Sequence, residues 1–396
     1  MPGILDGIKV LDFTQVYSGP FCSLLLRDLG AEIIKVERPG SGDLSRNDIP
    51  HTAGLEGGAF INLNRGKKSL TVDLKTEKGS NICRDLAGKV DVFLENFSPG
   101  TMAKLGLDSK VICRLYPKLV YASISAYGQT GPKRDYPGFD PVAQAMGGMT
   151  AVTGFPDRPT RAGVSIADFS SGFFTAFAIV GALFHKFRTG EGQVIDISMQ
   201  DCIWQLASLE YAPYYFLNGQ IPPRLGNGHA AMIPCNLYPT EDGHVIISAG
   251  VLSQVHRLYT AIGRKDLIDT PLGANQNQRF QHRDEIDAII SEWTRTRTTA
   301  KIEKLLKDSD VPCTRLPSFD QVCSDPQLLS RNMIIEVEQA ISGKVKVPGS
   351  IFKMSRTPGN IQYPAPLLGE NNQDVLVDML GYTEEQIAQL SSEGIL

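Results

Sequence analysis

The most apolar stretch of the chain lies between residues 161 and 192, RAGVSIADFSSGFFTAFAIVGALFHKFRTGEG. An almost unbroken apolar run covers residues 173–184, small residues precede it at 170–172, and basic residues lead into Gly190. Small residues ahead of an apolar run and basic residues at its end are typical of helix termini. The pattern therefore predicts a helix that is apolar on every side and buried in a large core, with Asp168 at its start.

Short apolar runs alternate with helical patterns through the N-terminal half. Residues 8–13 predict a strand, residues 21–29 a helix that ends at Gly30, and residues 31–36 a second strand. A strand, a helix and a strand at this spacing predict a parallel sheet. Further strands are predicted at residues 69–74, 90–94, 119–125 and 194–197. The fold class is therefore predicted to be α/β, with a doubly wound N-terminal half.

The pattern changes after residue 204. Gly, Pro and Asn accumulate over residues 212–229, which predicts a linker. Beyond it the pattern predicts a smaller α+β domain, with a strand at 244–248 and helices at 252–262, 283–294 and 299–308. The remaining elements are predicted to be a helix from about residue 319, a strand pair around 334–347, and two amphipathic helices at 373–380 and 383–390.

Composition narrows the class of protein. A chain of 396 residues is long for one core and predicts two domains. Its net charge of −4 argues against a nucleic-acid partner or an anionic membrane surface, and the apolar run 173–184 is too short to span a bilayer. Seven scattered cysteines without a CxxC pair predict reduced thiols, and no signal peptide is recognised. We therefore expect a cytoplasmic location.

Asp168 is the first candidate for chemistry. At a helix start it lies beside unpaired N–H groups and the positive end of the helix dipole, which we expect to keep the carboxylate ionised. An ionised and partly desolvated carboxylate can attack an acyl group. The alternative is that Asp168 only caps the helix.

Other motifs leave further alternatives open. The turn after the first strand lacks GxGxxG, and Glu37 is either a ribose-binding acid or solvated. The basic loop 64–68 is either a solvated loop or a phosphate partner. The segment GVSIA at 163–167 nearly matches a serine nucleophile elbow, but Asp168 follows it directly. The six histidines show no metal spacing, so no metal is expected, and His229 in a flexible loop could line a cleft.

Motifs along nearly the whole chain resemble the family III CoA-transferases, the CaiB/BaiF type that includes formyl-CoA transferase. The similar stretches are VLDFTQVYSGP (10–20), LGAEIIKVERPGSGD (29–43), NRGKKSLTVDLK (64–75), DVFLENFSPGTMAKLGL (91–107), SISAYGQTGP (123–132), GFDPVAQAMGG (138–148), ADFSSG (167–172), TGEGQVIDISMQD (189–201) and PLLGENN (366–372). The resemblance implies a CoA-transferase that moves CoA from an acyl-CoA donor to a free carboxylic acid.

The same resemblance implies that Asp168 is the nucleophile. Its attack on the acyl-CoA would give an acyl–aspartyl anhydride and CoA thiolate, and the thiolate would then form an enzyme–CoA thioester. Gly147 and Gly148, after the helix that carries Gln144, would contribute N–H groups to the oxyanion. CoA and acyl-CoA are expected as substrates, with no permanently bound cofactor.

Binding residues are also implied by the resemblance. CoA contacts are expected at Val16, Tyr17, Arg38, Val72, Lys75, Asn96, Phe97 and Lys104. The acid pocket is expected to draw on Tyr17, Phe139, Asp140, Gln144, Gly147, Gly148 and His229. Tyr17 stands where the formyl-CoA enzyme has a glutamine, and the loop 224–233 lacks that enzyme's run of glycines. Both departures point away from oxalate as the acceptor.

The resemblance implies a large Rossmann-like CoA-binding domain formed by residues 1–200 and 325–396, a linker at 201–225 and a small α+β domain at 226–324. It also implies an interlocked homodimer, with a heteromer of related subunits as an alternative. Two other functions remain open, an acyl-CoA α-epimerase and a non-catalytic subunit. Related racemases carry a Gly-His-Asp, and Phe139 in place of that histidine cannot act as a base. Asp168 argues against the non-catalytic subunit.

Overall fold

The structure is a computed structural model that describes residues 2–52, 56–359, 361 and 363–396. The chain divides into a large unit, formed by residues 2–149, 162–217 and 326–396, and a small unit, formed by residues 150–161 and 218–325. The division differs from the predicted one at two places. Residues 150–161 belong to the small unit, and the first part of the predicted linker 201–225 is a helix that ends at Asn218. Apolar residues of this helix, among them Ile203, are buried, which explains why the segment is ordered as helix.

The strands in chain order are β1 Lys9–Asp12, β2 Glu32–Glu37, β3 Lys68–Thr71, β4 Val92–Glu95, β5 Val120–Ser125, β6 Gly154–Phe155, β7 Arg158–Pro159, β8 Val194–Ser198, β9 Cys235–Pro239, β10 His244–Ser248, β11 Cys313–Arg315, β12 Ile334–Gln339 and β13 Gly343–Pro348. The predicted strands of the N-terminal half are therefore confirmed, with ends that differ by up to three residues.

The helices in chain order are α1 Ser18–Asp28, α2 Gly58–Asn64, α3 Glu77–Ala87, α4 Thr101–Lys104, α5 Ser109–Leu115, α6 Asp140–Met146, α7 Met149–Val152, α8 Ile166–Thr189, α9 Met199–Asn218, α10 Leu252–Ala261, α11 Gln276–Gln281, α12 Arg283–Arg295, α13 Thr299–Asp308, α14 Phe319–Cys323, α15 Pro326–Ser330, α16 Asn372–Leu380 and α17 Glu384–Ser392. Short 3-10 helices cover Leu44–Asn47 and Lys265–Leu267.

The large unit is built on a parallel sheet with the strand order β3-β2-β1-β4-β5-β8. Alternate residues of each strand enter different cores. Val10 and Leu94 pack with α1 and α8 on one face, whereas Leu11 and Phe93 pack with α3, α5 and α16 on the other. Burial on both faces explains why these strands appear in the sequence as continuous apolar runs. The order reverses between β1 and β4, and such a reversal opens a crevice at the carboxyl ends of the strands.

Helix α8 has one buried face and one exposed face, so the prediction that it is buried on every side is wrong. The buried face carries small residues, and at Gly172 a β-carbon would collide with the backbone of α1 at Ser18. The opposite face exposes apolar side chains, Phe173, Phe177, Val180, Phe184 and Phe187. By length and composition α8 could cross a membrane, although half of its most apolar window is buried inside the structure. Small residues allow the close approach to α1, and the bulky ones lie on the other side.

The small unit has its own core. Strands β9, β10 and β11 form an antiparallel sheet in the order β11-β10-β9. Helices α10, α12 and α13 contribute Val255, Ile286 and Ile302 to the same apolar cluster as Val245 and Ile247 of β10. An antiparallel sheet with helices packed on it is the predicted α+β arrangement.

Candidate active site

Residues predicted to contact CoA follow the carboxyl ends of neighbouring strands. Val16 and Tyr17 follow β1, Arg38 follows β2, Val72 and Lys75 follow β3, Asn96 and Phe97 follow β4, and Lys104 ends α4. The carboxyl ends of parallel strands all lie at the same edge of the sheet. Ligands bind at this edge beside the point where the strand order reverses, here between β1 and β4. The topology therefore brings these residues to the edge at which open α/β sheets bind ligands.

The turn between β1 and α1 is unusually constrained. Val16 has φ 69°, a conformation that is rare for a β-branched residue. The preceding Gln15 donates its N–H to Asn96 Oδ1 over 2.9 Å and accepts from Asn96 Nδ2 over 2.9 Å. The Asn96 amide also donates to the Ser18 hydroxyl over 3.2 Å. The Asn96 amide therefore holds the turn, and its contact with CoA stays a prediction.

Tyr17 lies beside Asp168. Its ring meets Phe169 edge-on with 6.2 Å between ring centroids, and Asp48 lies near enough for its negative charge to act on the Tyr17 phenol. Burial raises the pKa of Tyr17, and the charges of Asp48 and Asp168 raise it further. Tyr17 is therefore a neutral phenol at neutral pH, held next to the candidate nucleophile. Asp48 gave no signal in the sequence, because only the fold brings it to Tyr17.

Asp168 lies in the first turn of α8, as predicted, but its predicted electrostatics are wrong. Burial raises the pKa of Asp168 to about 7, and the negative charge of Asp140 raises it further. Among the described residues no cation opposes these two effects. Desolvation thus outweighs the helix dipole that the sequence argument relied on. Ser165 occupies the N-cap position of α8, so the hypothesis that Asp168 is only a cap is not supported.

Asp140 and Gln144 hold the chain that leads into α8. Asp140 Oδ1 accepts the Ala167 N–H over 2.8 Å, and its Oδ2 accepts from Gln144 Nε2 over 2.8 Å. Gln144 Oε1 accepts the Ala162 N–H over 2.9 Å, while Nε2 also donates to the Val164 carbonyl over 3.3 Å. Both side chains are buried. Their polar atoms therefore fix the backbone on the N-terminal side of Asp168, and their place in the acid pocket stays a prediction.

Three other pocket candidates also have different surroundings from those expected. The N–H groups of Gly147 and Gly148 donate to carbonyls of α6, at Ala143 over 2.8 Å and Ala145 over 3.2 Å. Both donors are thus engaged within the helix end, and the oxyanion contact at the two glycines stays a prediction. His229 belongs to the small unit, where its Nδ1 accepts the backbone N–H groups of Ala231 and Met232.

Phe139 is 73% exposed and precedes α6 directly, at its N-cap position. An exposed phenyl ring carries no group that can accept an α-proton. The argument against the epimerase therefore remains the one made from the sequence.

Two of the three cations in the basic loop 64–68, Arg65 and Lys67, are buried, whereas the Lys68 side chain is 38% exposed and pairs with Glu32 over 2.6 Å. Arg65 is buried and makes two hydrogen bonds to Asp28, at 2.5 and 2.8 Å. Lys67 is buried as well, and its Nζ donates to the Ser23 hydroxyl over 2.8 Å and lies 3.4 Å from Asp12 Oδ2. Burial lowers the pKa of Lys67 to about 8 even though Asp12 opposes this. Both cations are internal partners of carboxylates that lie far away in the sequence.

Glu37 is fully engaged in the fold. It accepts two hydrogen bonds from Arg46, at 2.8 and 2.7 Å, one from the Ser69 hydroxyl at 2.7 Å and one from the Asp43 N–H at 2.9 Å. Burial alone would raise the pKa of Glu37, but Arg46 and Lys35 lower it. A carboxylate with these partners has no free oxygen for a ribose hydroxyl.

Two alternative chemistries find little in the structure. A serine nucleophile elbow requires a strand directly before the serine, and residues 160–165, all of them described, contain none. Within the described part of the chain, no group of three or more His, Cys, Asp or Glu residues lies close enough to hold a metal ion.

Comparison with known proteins gives consistent matches over the whole chain. The model of CoA-transferase family III matches residues 5–372. The succinyl-CoA–D-citramalate CoA-transferase of Chloroflexus aurantiacus is 38% identical, over 100% of this chain and 98% of its own. The human succinyl-CoA:glutarate CoA-transferase is 35% identical, over 99% of this chain and 90% of its own. A crystal structure of a CaiB/BaiF family protein from Brucella suis superposes with a TM-score of 0.84 at 32% identity, covering 96% of this chain and 100% of that one.

Proposed function

Because the chain belongs to CoA-transferase family III and is an enzyme of the CoA-transferase type, we propose that it moves CoA from succinyl-CoA to a small dicarboxylic acid. Succinyl-CoA appears in the names of both relatives described above, and citramalate and glutarate are dicarboxylic acids. The observation that carries the proposal is Asp168, a desolvated carboxylate at the start of α8 without an opposing cation among the described residues. Such a group is suited to attack an acyl carbon.

In the first half-reaction an oxygen of ionised Asp168 attacks the thioester carbonyl of succinyl-CoA. The carbon–sulfur bond breaks, CoA leaves as a thiolate, and a succinyl–aspartyl anhydride remains. The thiolate then attacks the aspartyl carbonyl of the anhydride, which releases succinate and leaves CoA bound to Asp168 as a thioester. No proton needs to be exchanged with solvent in either step.

The second half-reaction reverses this order with a different acid. The acceptor carboxylate attacks the aspartyl thioester and expels CoA thiolate, which gives a mixed anhydride of Asp168 and the acceptor. The thiolate attacks the acceptor's acyl carbon, so that the new acyl-CoA forms and Asp168 returns as a carboxylate. With a pKa of about 7, roughly half of Asp168 is ionised at neutral pH. Desolvation makes this ionised fraction a stronger nucleophile than a hydrated carboxylate.

CoA is proposed to bind at the carboxyl edge of the large sheet. Arg38, Lys75 and Lys104 are exposed cations that suit its phosphates, and half-buried Phe97 suits the adenine or the pantetheine arm. Arg38→Ala should weaken CoA binding and reduce the dependence of that binding on salt. Calorimetric titration of CoA at two salt concentrations measures both effects, and an unchanged salt dependence would remove Arg38 from the proposed site.

A trapping experiment tests the proposed nucleophile. An aspartyl anhydride or thioester is electrophilic, so hydroxylamine together with succinyl-CoA should inactivate the enzyme and leave a hydroxamate on Asp168. Hydroxylamine alone should leave activity unchanged. Mass spectrometry of the peptide containing residues 162–186 locates the adduct. An adduct on Ser165, or inactivation without an adduct in this peptide, would contradict the proposal.

The enzyme is also proposed to act as an interlocked homodimer. The exposed apolar face of α8 supports this, since Phe177 is 73% exposed and Phe184 63% exposed, and large exposed apolar patches are typical of interfaces. Native mass spectrometry of the purified chain should give a dimer that Phe177→Asp weakens. Phe319→Asp, at a phenylalanine that is 81% exposed in the small unit, is the control. A monomeric wild-type chain would favour the heteromer, and rapid exchange between tagged and untagged dimers would exclude interlocking.

A further inference from the structure

A buried ion pair holds the turn that carries Tyr17. Lys35 Nζ lies 2.7 Å from Asp43 Oδ2, and both side chains are completely buried. The same Nζ donates to the Thr14 carbonyl over 2.6 Å, and Asp43 Oδ1 accepts the Val16 N–H over 3.1 Å. The pair therefore binds the backbone on both sides of residue 15, at the Thr14 carbonyl and at the Val16 N–H.

Asp43 also fixes the short segment that leads to Asp48, whose negative charge acts on Tyr17. It caps the short 3-10 helix Leu44–Asn47, where its Oδ1 accepts the Ser45 N–H over 2.9 Å and the Ser45 hydroxyl over 2.8 Å. Asp48 follows this helix as its C-cap, and its negative charge acts on the Tyr17 phenol. Asp43 thus restrains Tyr17 directly through the backbone N–H of the preceding residue, and it also holds the segment that carries the Asp48 charge.

Stability alone does not account for this arrangement. A buried ion pair costs desolvation that its attraction barely offsets, and apolar residues of the same volume are often as stable. Val16 adds a backbone conformation that costs free energy and persists only where its surroundings enforce it. Burial opposes both charges, yet Asp43 keeps the pKa of Lys35 above its ordinary value, and Lys35 keeps the pKa of Asp43 below its own. Costs of this kind are typical of groups that hold a functional geometry.

We propose that Asp43, paired with Lys35, is a positioning residue for CoA transfer, which fixes Tyr17 beside Asp168 without touching the substrate. Tyr17 packs edge-on against Phe169, which directly follows Asp168 in the sequence. Through this contact the restraint on Tyr17 reaches the surroundings of Asp168. The proposal rests on the proposed function in one respect, namely that Asp168 is the nucleophile.

The experiment compares two variants of this pair with two variants of a control pair, all in the full chain. Asp43→Asn keeps an acceptor for the Val16 N–H but loses the ion pair. The double variant Lys35→Met with Asp43→Ala removes the acceptor and leaves no buried unpaired charge, so it should fold even if the single variant does not.

The controls are Asp28→Asn and the double variant Arg65→Met with Asp28→Ala. They alter a similarly buried ion pair of the same unit, with oxygen–nitrogen distances of 2.5 and 2.8 Å. Neither residue has a contact with the turn at residues 14–17 among the hydrogen bonds and ion pairs of the described residues.

Three measurements are made on each folded variant. The first is kcat/KM for succinyl-CoA with glutarate as acceptor. The second is the ionisation of the Tyr17 phenol, followed by ultraviolet difference absorbance after a pH jump, against the same background carrying Tyr17→Phe. The third is hydroxylamine capture at Asp168. We expect kcat/KM to fall about tenfold in Asp43→Asn and about 100-fold in the Lys35/Asp43 double variant, because small misplacements of a reacting centre have effects of this size.

In both variants the Tyr17 phenol should ionise at a lower pH than in the wild type, because a loosened turn exposes the phenol to water and no longer holds it near the Asp48 charge. The two controls should change kcat/KM by less than about threefold and leave the Tyr17 titration unchanged, since distant sites act independently. Equal effects in the Asp43 variants and the controls would overturn the proposal, as would loss of folding in both Asp43 variants while both controls fold. If the wild type gives no capture at Asp168, the proposed function fails, and the Tyr17 titration still decides whether Asp43 positions this side chain.

Discussion

Asp43, in the loop after β2, and Asp168, in the first turn of α8, are two enclosed carboxylates of the large unit with opposite surroundings. Asp43 has an ion-pair partner in Lys35 at 2.7 Å and accepts hydrogen bonds from Val16 and Ser45. Burial alone would raise the pKa of Asp43, but Lys35 and Ser45 lower it below the ordinary value. Its ionised form is therefore stabilised, by hydrogen bonds at Oδ1 and by the ion pair with Lys35 at Oδ2.

Asp168 is enclosed without such partners among the described residues. Burial raises the pKa of Asp168 to about 7, and the charged neighbour that adds to this effect is another carboxylate, Asp140. The oxygens of Asp140 are themselves bound, by the Ala167 N–H and by Gln144. Asp140 therefore adds negative charge near Asp168 and holds the backbone beside it, but it gives Asp168 no proton and no cation.

The difference between the surroundings of Asp43 and Asp168 indicates how a carboxylate that supports the fold differs from one that is placed to react. A carboxylate whose lone pairs are filled by donors is stabilised in the state in which it cannot attack a carbonyl. A carboxylate that is desolvated and left without donors is destabilised, and this instability is what makes it reactive. Exchanging each acid for its amide should therefore have opposite effects on stability.

The largest expected effect is the loss of activity in Asp168→Asn. The amide keeps the shape of the side chain but is no longer a nucleophile, so kcat should fall by at least about 10⁴-fold while the protein still folds and binds CoA. Turnover of succinyl-CoA with glutarate measures the first effect, and calorimetry with CoA the second. Asp374→Asn is the matched control, because Asp374 is an exposed aspartate in the first turn of α16. Activity within about tenfold of the wild type would contradict the role of Asp168.

The second largest effect is expected on the stability of Asp43→Asn. Loss of the carboxylate leaves the buried Lys35 ammonium without its partner, and breaking a buried pair in this way costs about 3–5 kcal/mol. Denaturant unfolding at pH 7 measures the change in free energy. A loss below about 1 kcal/mol would mean that water or a shift of the backbone replaces the partner, and Asp43 would then resemble an exposed carboxylate.

The opposite sign is expected for the stability of Asp168→Asn. The pKa of Asp168 is about 7 in the folded protein and 3.8 as its ordinary value, so the folded state binds the proton more tightly. In the wild type, stability is therefore lost as the pH rises from about 4 to about 7, and the asparagine variant does not undergo this loss. We expect the variant to be more stable by about 1–3 kcal/mol at pH 8 and nearly equal to the wild type at pH 4. A variant that is less stable at pH 8 would reverse the comparison.

The sequence predicted the large sheet well because its strands are buried on both faces. Residues such as Val10 and Leu11 enter different cores, so each strand is a continuous apolar run that can be recognised without knowledge of its neighbours. Turn residues placed the helices between them. The order of the strands is known only from the structure, whereas their common carboxyl edge follows from their being parallel.

The candidate site was predicted less completely, and the reason is pairing over long distances in the sequence. The partner of Lys67 is Asp12, 55 residues away, and the partner of Arg65 is Asp28, 37 residues away, so the basic loop looked solvated. The motif resemblance located Asp168, but its pKa depends on burial and on Asp140, which a single sequence does not reveal.

The two faces of α8 show a further limit of prediction from the sequence. Phe177 and Gly172 are both compatible with a buried helix, and only the packing against α1 distinguishes the buried face from the exposed one. An apolar pattern marks every face of a helix that avoids water. A single chain need not bury all of these faces by itself.

The smallest expected effect concerns the pH dependence of Asp140→Asn. In the wild type kcat/KM should rise with pH to a plateau, with a midpoint near 7, because the proposed mechanism requires the ionised form of Asp168. The substituted amide would retain an oxygen for the Ala167 N–H but lose the acceptor for Gln144 Nε2 and the negative charge, and removing a like charge lowers the pKa of its neighbour. Burial is the larger cause of the raised pKa and is unchanged, so the midpoint should fall by only about 0.5–1 pH unit.

The pH profile of kcat/KM measures this shift, with Asp374→Asn as the control that leaves the midpoint in place. A lower plateau at an unchanged midpoint would mean that Asp140 acts through its hydrogen bonds alone. The contrast between Asp168 and Asp43 would then rest on desolvation and on the missing cation.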